Sequence, residues 1–379
     1  MKSNSGFTIV ILTEIERIYG KAHAQEIFER SDLLKYLNIK MRSADRGSKS
    51  RGSFANIYAI FVLVEDYVAN GFEKNGNYSK YAGAQYGSLF IRQRQLPFGE
   101  RLQNHGLNSR CNEEFAKYFP GTDVRPIMRD LESRRYWINE GLLILETSQG
   151  SVNLCGVVLA IVKQYIAAKK DAFEAFIADC ERLESLVGVD EDALVRFITD
   201  LLRPNVDARI FEIASYSILA TRYADQTVWF GDTEDLVAEH RLELFKTGRT
   251  NANDGGIDFV MRPVGRFFQV TETADVRKYF LDIDKVQRFP ITFVVKTEET
   301  ATQVRLRMRE FAEQSYPVAK IVDEYLEAIE EIITLIDLRD HVKHLSEAGQ
   351  LPDVLARLKL QAYVEFNVDP DARMGNDEE

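Results

Sequence analysis

The chain has 379 residues, of which 45% are hydrophobic and 28% charged, a composition typical of a soluble globular protein with room for two domains. The net charge of −11 disfavours a nucleic-acid partner, yet residues 1–135 hold 21 Lys and Arg against 15 Asp and Glu, while the remainder holds 27 against 44. Phosphate binding follows the local field, which decays over about 10 Å at moderate salt, so a basic N-terminal part is compatible with DNA.

The N-terminal part of the chain is predicted to be mainly helical. Apolar residues recur at helical spacing over residues 7–38, and a polar loop is predicted over residues 42–53. The run FANIYAIFVLVEDYVANGF, residues 54–72, has the length and apolar density of a buried helix. These patterns predict a helical region rather than a sheet.

A domain boundary is predicted near residue 203. Residues 86–135 are predicted to be loop-rich, and helical spacing returns from residue 136 to about 200. Pro204 stops the last of these helices. We therefore predict a mainly helical DNA-recognition region in residues 1–203 and an α/β domain in residues 204–379.

Strand signals appear only after this boundary. DARIFEIASYSILATRYA is predicted as a helix, and QTVWFG and LELFKTG as strands. GGIDFVMRP and RFFQVTET are predicted as two strands around a turn at residues 263–265, followed by a helix over residues 274–286 and the buried strand PITFVVKT. Long helices are predicted over residues 300–348. The pattern predicts a central mixed sheet flanked by helices.

The second of these hairpins carries the residues with chemical potential. Asp258 is predicted mid-strand after two glycines, which would let a sugar–phosphate backbone approach closely. Gln269 and Thr271 lie two residues apart and so share one face of the next strand. The hairpin can bring Asp258 and Gln269 to one edge, where oxygen ligands suit Mg²⁺. The alternative is that Asp258 simply caps an Asp-Gly-Gly turn.

These residues resemble the PD-(D/E)xK nuclease superfamily, most closely its Mrr-like branch. The resemblance spans roughly residues 207–296 and rests on three motifs: Phe211-Glu212 in a helix, Asp254-Gly255-Gly256-Ile257-Asp258, and Gln269-Val270-Thr271. It implies a restriction-endonuclease-like core and a Mg²⁺-dependent type II enzyme that cuts double-stranded DNA at specific sites. Asp258 would then be the central metal ligand, Gln269 would occupy the usual Glu position, and Glu212 would be an accessory carboxylate.

The chain departs from the family pattern at one position. Thr271 stands where members usually carry a lysine, and a threonine hydroxyl can hold a water but supplies no positive charge. Arg277 or Lys278 could lend that charge, whereas alternation points Glu272 to the other face. Glu243 is the rival to Glu212. Two alternatives therefore stay open: a repair or phage-defence nuclease, and a DNA-binding protein with a degenerate site.

Three other features complete the prediction. The three cysteines lack metal-ligand spacing. The sequence has no apolar run long enough to span a membrane, no signal-peptide cleavage site and no nucleotide-binding motif. We therefore expect a cytoplasmic protein without membrane or nucleotide partners. Cutting both strands of a palindrome predicts a homodimer, whose interface the helices of residues 300–348 could form unless they cover the sheet. Candidate DNA contacts, by phosphate binding or base reading, are Arg46, Lys49, Arg51, Arg92, Gln93, Arg94, Gln95, Gln103, Asn104, Asn108 and Arg110.

Overall fold

The computed structural model divides the chain into two compact units, residues 1–174 and residues 175–379. The predicted boundary near residue 203 lies further along the chain. No helix in the described part is both long and apolar enough to cross a membrane. The structure describes residues 6–45, 50–75, 78–100, 102–104, 106–148, 150–248, 257–272 and 276–366.

The first unit is mainly helical, as predicted, with small sheets added. Strands β1, β3 and β2 form an antiparallel sheet in that order, and β4 pairs with β5. Its elements are α1 Gly6–Tyr19, α2 Lys21–Arg30, α3 Asp32–Asp45, α4 Ser50–Ala69, α5 Phe72–Asn75, β1 Ala84–Gln85, α6 Tyr86–Gln95, α7 Cys111–Tyr118, β2 Ile127–Asp130, β3 Arg135–Ile138, α8 Glu140–Leu143, β4 Ile144–Thr147, β5 Gly150–Asn153 and α9 Cys155–Glu184, which extends into the second unit.

Two loop predictions for this unit were wrong in part. The helices α3 and α4 occupy both ends of the predicted loop at residues 42–53, leaving residues 46–49 outside the described residues. The buried apolar run of α4 stabilises the whole helix. Its first turn is therefore helical although its residues are polar. The predicted loop-rich region contains α6, which buries Leu89, and α7, which buries Cys111 and Phe115.

The second unit contains a five-stranded mixed sheet in the order β12-β11-β10-β9-β8. The neighbours β8, β9 and β10 are antiparallel, whereas β11 is parallel to β10 and β12 parallel to β11. The elements are α10 Glu191–Asp200, α11 Ala208–Ala224, β6 Thr227–Phe230, β7 Ala238–Arg241, β8 Glu243–Lys246, β9 Phe259–Arg262, β10 Arg266–Thr271, α12 Val276–Lys285, β11 Ile291–Val295, α13 Ala301–Ser315, α14 Ala319–Glu327, β12 Ile329–Ile333, α15 Leu335–Glu347 and α16 Leu351–Phe366.

Helices cover both faces of this sheet. On one face, Phe259 and Phe268 join a core with α10, α11, α15 and α16. On the other face, Ile291 and Phe293 join a core with α12, α13 and α14. All five residues of β11 are buried, as expected of a parallel strand with helices on both sides. The mixed sheet flanked by helices is therefore present as predicted at this level.

The long-helix prediction for residues 300–348 was wrong at one point. The segment IEEII is the strand β12, which pairs in parallel with β11. Its buried Ile329, Ile332 and Ile333 do not alternate with period two, so the sequence does not distinguish this short strand from the helices around it. Helices α13, α14 and α15 contribute buried residues to the two cores, so they cover the sheet.

Candidate active site

The carboxylate of Asp258 lies at one end of the five-stranded sheet. Asp258 precedes β9 directly, which corrects its predicted position in the middle of a strand. Its backbone N–H donates to the carbonyl of Phe268 at 2.9 Å, and its carbonyl accepts a 3.0 Å bond from Thr247, just after β8. Its Oδ2 accepts a 2.6 Å bond from the N–H of Val270. These contacts hold Asp258 next to the ends of β8 and β10. It lies just beyond Phe259 and Phe268, the last residue pair between β9 and β10 at this end of the sheet.

Gln269 and Thr271 lie beside it in β10 and face the same side of the sheet. Side chains alternate along a strand, and Phe267, two residues before Gln269, packs on the core of α12 and α13. Gln269 is 8% exposed and Thr271 2%. The Nε2 of Gln269 donates to the carbonyl of Val270 at 3.1 Å, but its Oε1 is buried without a hydrogen-bond partner among the described residues. Buried acceptors rarely lack a hydrogen-bond partner, so this oxygen is a candidate metal ligand.

Glu212 occupies the opposite side of the same region. It lies on α11, is buried, and its Oε1 is 2.9 Å from the Nζ of Lys246 at the end of β8. Asp207 begins α11 by accepting a bond from the N–H of Arg209 at 2.9 Å, which sets where this helix starts. The predicted accessory carboxylate therefore has a lysine as its immediate partner.

The rival carboxylate Glu243 lies at the other end of β8. It is exposed and stands opposite Arg262, the last residue of β9, whereas Lys246 stands opposite Phe259, next to Asp258. Only Lys246 of these two β8 residues is therefore at the Asp258 end of the sheet. The strand register favours Glu212 over Glu243 as the accessory group.

A partly buried ion pair joins the residues that directly follow β10 and β11, at the same end of the sheet. The Nζ of Lys296 is 2.6 Å from the Oε1 of Glu272 and also donates to the carbonyl of Val206. Lys296 lies over the ring of Phe211 in α11, at 5.4 Å, so this pair is on the α11 face, as alternation predicts for Glu272. Burial raises the pKa of Glu272, against the lowering effect of Lys296.

Sequence reasoning missed Lys296. The available signal was its position directly after the apolar run of β11, which ends beside Thr271 because the two strands are parallel and in register. The candidates considered instead are Arg277 and Lys278 in the first turn of α12, where Arg277 is exposed and Lys278 half-buried. Lys278 is close enough to lower the pKa of Glu272. Lys278 and Lys296 therefore both lie near Glu272, the residue that follows Thr271.

The residues at this end offer oxygen donors that suit Mg²⁺. Asp258 supplies a carboxylate, and Gln269 supplies the buried Oε1 described above. No group of three or more Asp, Glu, His or Cys with metal-binding geometry occurs in the described ranges. Asp254, Gly255 and Gly256 lie outside the described residues. The donor set fits a hard cation whose other ligands come from water and phosphate oxygens.

The predicted DNA contacts in the first unit fall into two groups. The first group contains three residues that are buried or form ion pairs with neighbouring carboxylates. Gln93 is fully buried on α6. Arg92 makes a two-pronged pair with Glu65, at 2.7 and 2.8 Å, and Arg110 pairs with Glu114 at 2.9 Å. Each carboxylate offsets the charge of its arginine, and the burial of Gln93 keeps it from a DNA base in this conformation.

The second group remains on the surface. Arg94 and Gln95 are exposed at the end of α6, Gln103 and Asn104 are exposed in the following loop, and Asn108 is half-buried and accepts a bond from Tyr136. Arg46 and Lys49 lie outside the described residues, and Arg51 belongs to the first turn of α4.

Comparisons with known proteins give no match. No family model, curated protein or solved structure matches this chain.

Proposed function

We propose that the chain is a Mg²⁺-dependent endonuclease that cuts double-stranded DNA at specific sites, of the type II restriction kind. The observation that carries this proposal is that Asp258, held at the end of the sheet, lies beside the strand of Gln269, whose buried Oε1 has no hydrogen-bond partner among the described residues. A buried oxygen without a donor is costly unless something binds it, and a divalent cation beside a carboxylate would do so.

The order of elements supports a nuclease core of the PD-(D/E)xK kind. Helix α11 is followed, after the separate hairpin of β6 and β7, by the antiparallel strands β8, β9 and β10, then by helix α12 and the parallel strand β11. The motif residues of the resemblance fall on α11, directly before β9, and on β10. A single fold hosts many functions, so the topology supports the proposal only together with the chemistry of the site.

Each residue then has a distinct role. Asp258 and Gln269 would hold Mg²⁺ and Thr271 would orient a water, while Glu212, which pairs with Lys246 on the α11 face, would be an accessory carboxylate and not a direct ligand. When bound, Mg²⁺ lowers the pKa of a water and neutralises charge on the scissile phosphate. Lys246, Lys278 and Lys296 would supply positive charge at this end of the sheet, in place of the lysine that family members carry. Phosphodiester hydrolysis needs such charge because the phosphate gains negative charge in the transition state.

Sequence recognition would come from the first unit. The exposed Arg94, Gln95, Gln103 and Asn104 have the donor and acceptor groups that read guanine and adenine in the major groove. Arg92 and Arg110 pair with Glu65 and Glu114, so we rank them below these four side chains as base readers.

A single digestion separates this function from its alternatives. The purified protein is incubated with phage DNA, with and without Mg²⁺, and with excess chelator as the control. Discrete bands that need Mg²⁺ are the expected result. A smear would indicate a repair or defence nuclease without sequence specificity, and a band shift without cutting would indicate a DNA-binding protein with a degenerate site.

A further inference from the structure

The hairpin of β6 and β7 lies outside the five-stranded sheet. The two strands pair only with each other within the described residues, with Trp229 opposite Glu239. The hairpin leads into β8 at Glu243, which is the end of β8 opposite to the Asp258 end. It therefore has no direct part in the candidate site.

Large apolar side chains are exposed on this hairpin. Trp229 is 70% exposed and Leu236 64%, and Phe230 and Val237 are exposed as well. An isolated two-stranded hairpin is marginally stable in water, and a cluster of exposed apolar side chains marks a contact surface. Both observations make this hairpin a candidate contact surface.

Within the described residues, the outer edge of β7 pairs with no other strand. All four residues of β7 are exposed. The N–H of Leu242 donates to the carbonyl of Gln226 at 2.8 Å, so, by the alternation of an antiparallel ladder, His240 bonds to β6. Glu239 and Arg241 consequently direct their backbone N–H and C=O groups to the outer edge. Open edges of this kind are templates for strand addition.

The charges on β7 match those of a second copy. If two β7 strands pair antiparallel about a twofold axis through His240, Glu239 of each strand stands directly opposite Arg241 of the other. The same register also makes Glu239 and Arg241 the hydrogen-bonded pairs, because their backbone groups face outward. Opposite charges at directly opposed positions stabilise a sheet. Backbone and side chains thus favour one register.

We propose that β7 is a dimerisation edge and that its occupant is β7 of a second copy of this chain. DNA is disfavoured there because residues 225–242 carry five carboxylates against one arginine. The pairing would make a continuous four-stranded sheet across a twofold axis, with each copy contributing the same surface. This interface does not depend on the nuclease function, since no residue of the candidate site takes part.

Charge reversal tests the register directly. We expect the wild-type protein to have twice the 43.4 kDa mass of the chain in light scattering at tens of micromolar. Glu239→Arg places two arginines opposite each other at both contacts, and Arg241→Glu places two glutamates there. Each variant alone should be monomeric, with a dissociation constant raised at least about tenfold because like charges in register repel.

Mixing the two variants gives the decisive outcome. In a mixed dimer every contact joins an arginine to a glutamate, so an equimolar mixture of Glu239→Arg and Arg241→Glu should regain the dimer mass. The double variant should also dimerise by itself. Glu234→Arg, an equal charge change at the exposed turn of the hairpin, is the matched control and should keep the wild-type mass.

Three results would overturn the proposal. A monomeric wild type would show that the edge does not pair with itself. Dimers that persist in both single variants would place the interface elsewhere. Monomers that fail to combine on mixing, while both variants remain folded by circular dichroism, would rule out this register. The measurements need neither DNA nor metal, so they are independent of any failure to cut.

Discussion

The two faces of the sheet at its Asp258 end differ in how their polar groups are satisfied. On the α11 face, Glu272 pairs with Lys296 and Glu212 with Lys246. On the α12 face, the Oε1 of Gln269 is buried without a donor among the described residues. Paired carboxylates are stabilised within the fold, whereas a buried oxygen that lacks a partner and lies beside a carboxylate is a candidate metal ligand. The contrast teaches that burial alone does not identify a functional group; its hydrogen-bond partners and the charges beside it must be considered together.

The sharpest test of this contrast is Asp258→Asn. The substitution keeps an oxygen that can accept from the Val270 N–H but removes the negative charge that would bind Mg²⁺. We expect DNA cleavage to fall by about a thousandfold, because a bound metal supplies several kcal/mol of transition-state stabilisation. Cleavage rates and DNA affinity are measured together, and affinity should change little.

The control for this variant is Asp235→Asn, an exposed carboxylate in the hairpin turn. It should cut at the wild-type rate. If Asp258→Asn cuts as fast as this control, the metal lies elsewhere in the molecule.

The next test compares two neighbours on the α12 face. Gln269→Ala removes the unpartnered oxygen and should slow cleavage about a hundredfold, whereas Thr271→Ala removes a hydroxyl without charge and should slow it less than about tenfold. Rates at saturating and limiting Mg²⁺ distinguish the two, since only the Gln269 variant should also need more Mg²⁺. Equal, wild-type rates in both variants would remove β10 from the mechanism.

The paired face should respond in stability instead. Lys296→Met leaves the carboxylate of Glu272 partly buried without its cation, and we expect a loss of about 3 kcal/mol near neutral pH. This loss lies at the low end of the range for breaking a buried ion pair, because 28% of the Glu272 side chain is exposed. Urea unfolding of wild type and variant measures the difference.

The loss in Lys296→Met should depend on pH. Burial already raises the pKa of Glu272 in the folded protein, and removing Lys296 raises it further, so folding favours the protonated acid. The variant should be least destabilised below the ordinary glutamate pKa of 4.5 and progressively more so as the pH rises through the folded-state pKa. A loss that is independent of pH would mean that Glu272 is not the partner that matters.

The sequence could predict the hairpin of β9 and β10 because local signals agree there. Period-two alternation and the turn at residues 263–265 specify two strands, and their antiparallel pairing places Asp258 near Gln269. Lys296 and Lys246 escaped prediction because their positions depend on which strands are neighbours, a non-local property. β12 escaped because IEEII has no strand periodicity, and its parallel pairing with β11 decides its conformation.

The smallest expected effects separate two adjacent residues of α6 in the first unit, of which one is buried and the other exposed. Gln93 is buried, and neither amide atom has a hydrogen-bond partner among the described residues, so Gln93→Met should leave DNA binding unchanged. The unfolding free energy should stay equal or rise by up to about 1 kcal/mol, because an unpaired buried amide is replaced by an apolar group of similar size.

Arg94 is exposed, and Arg94→Ala should weaken DNA binding severalfold and reduce the slope of log affinity against log salt by about one. Titrations at three salt concentrations measure both variants. A larger loss of DNA affinity from Gln93→Met than from Arg94→Ala would show that a ligand, and not solvent exposure, sets the role of α6.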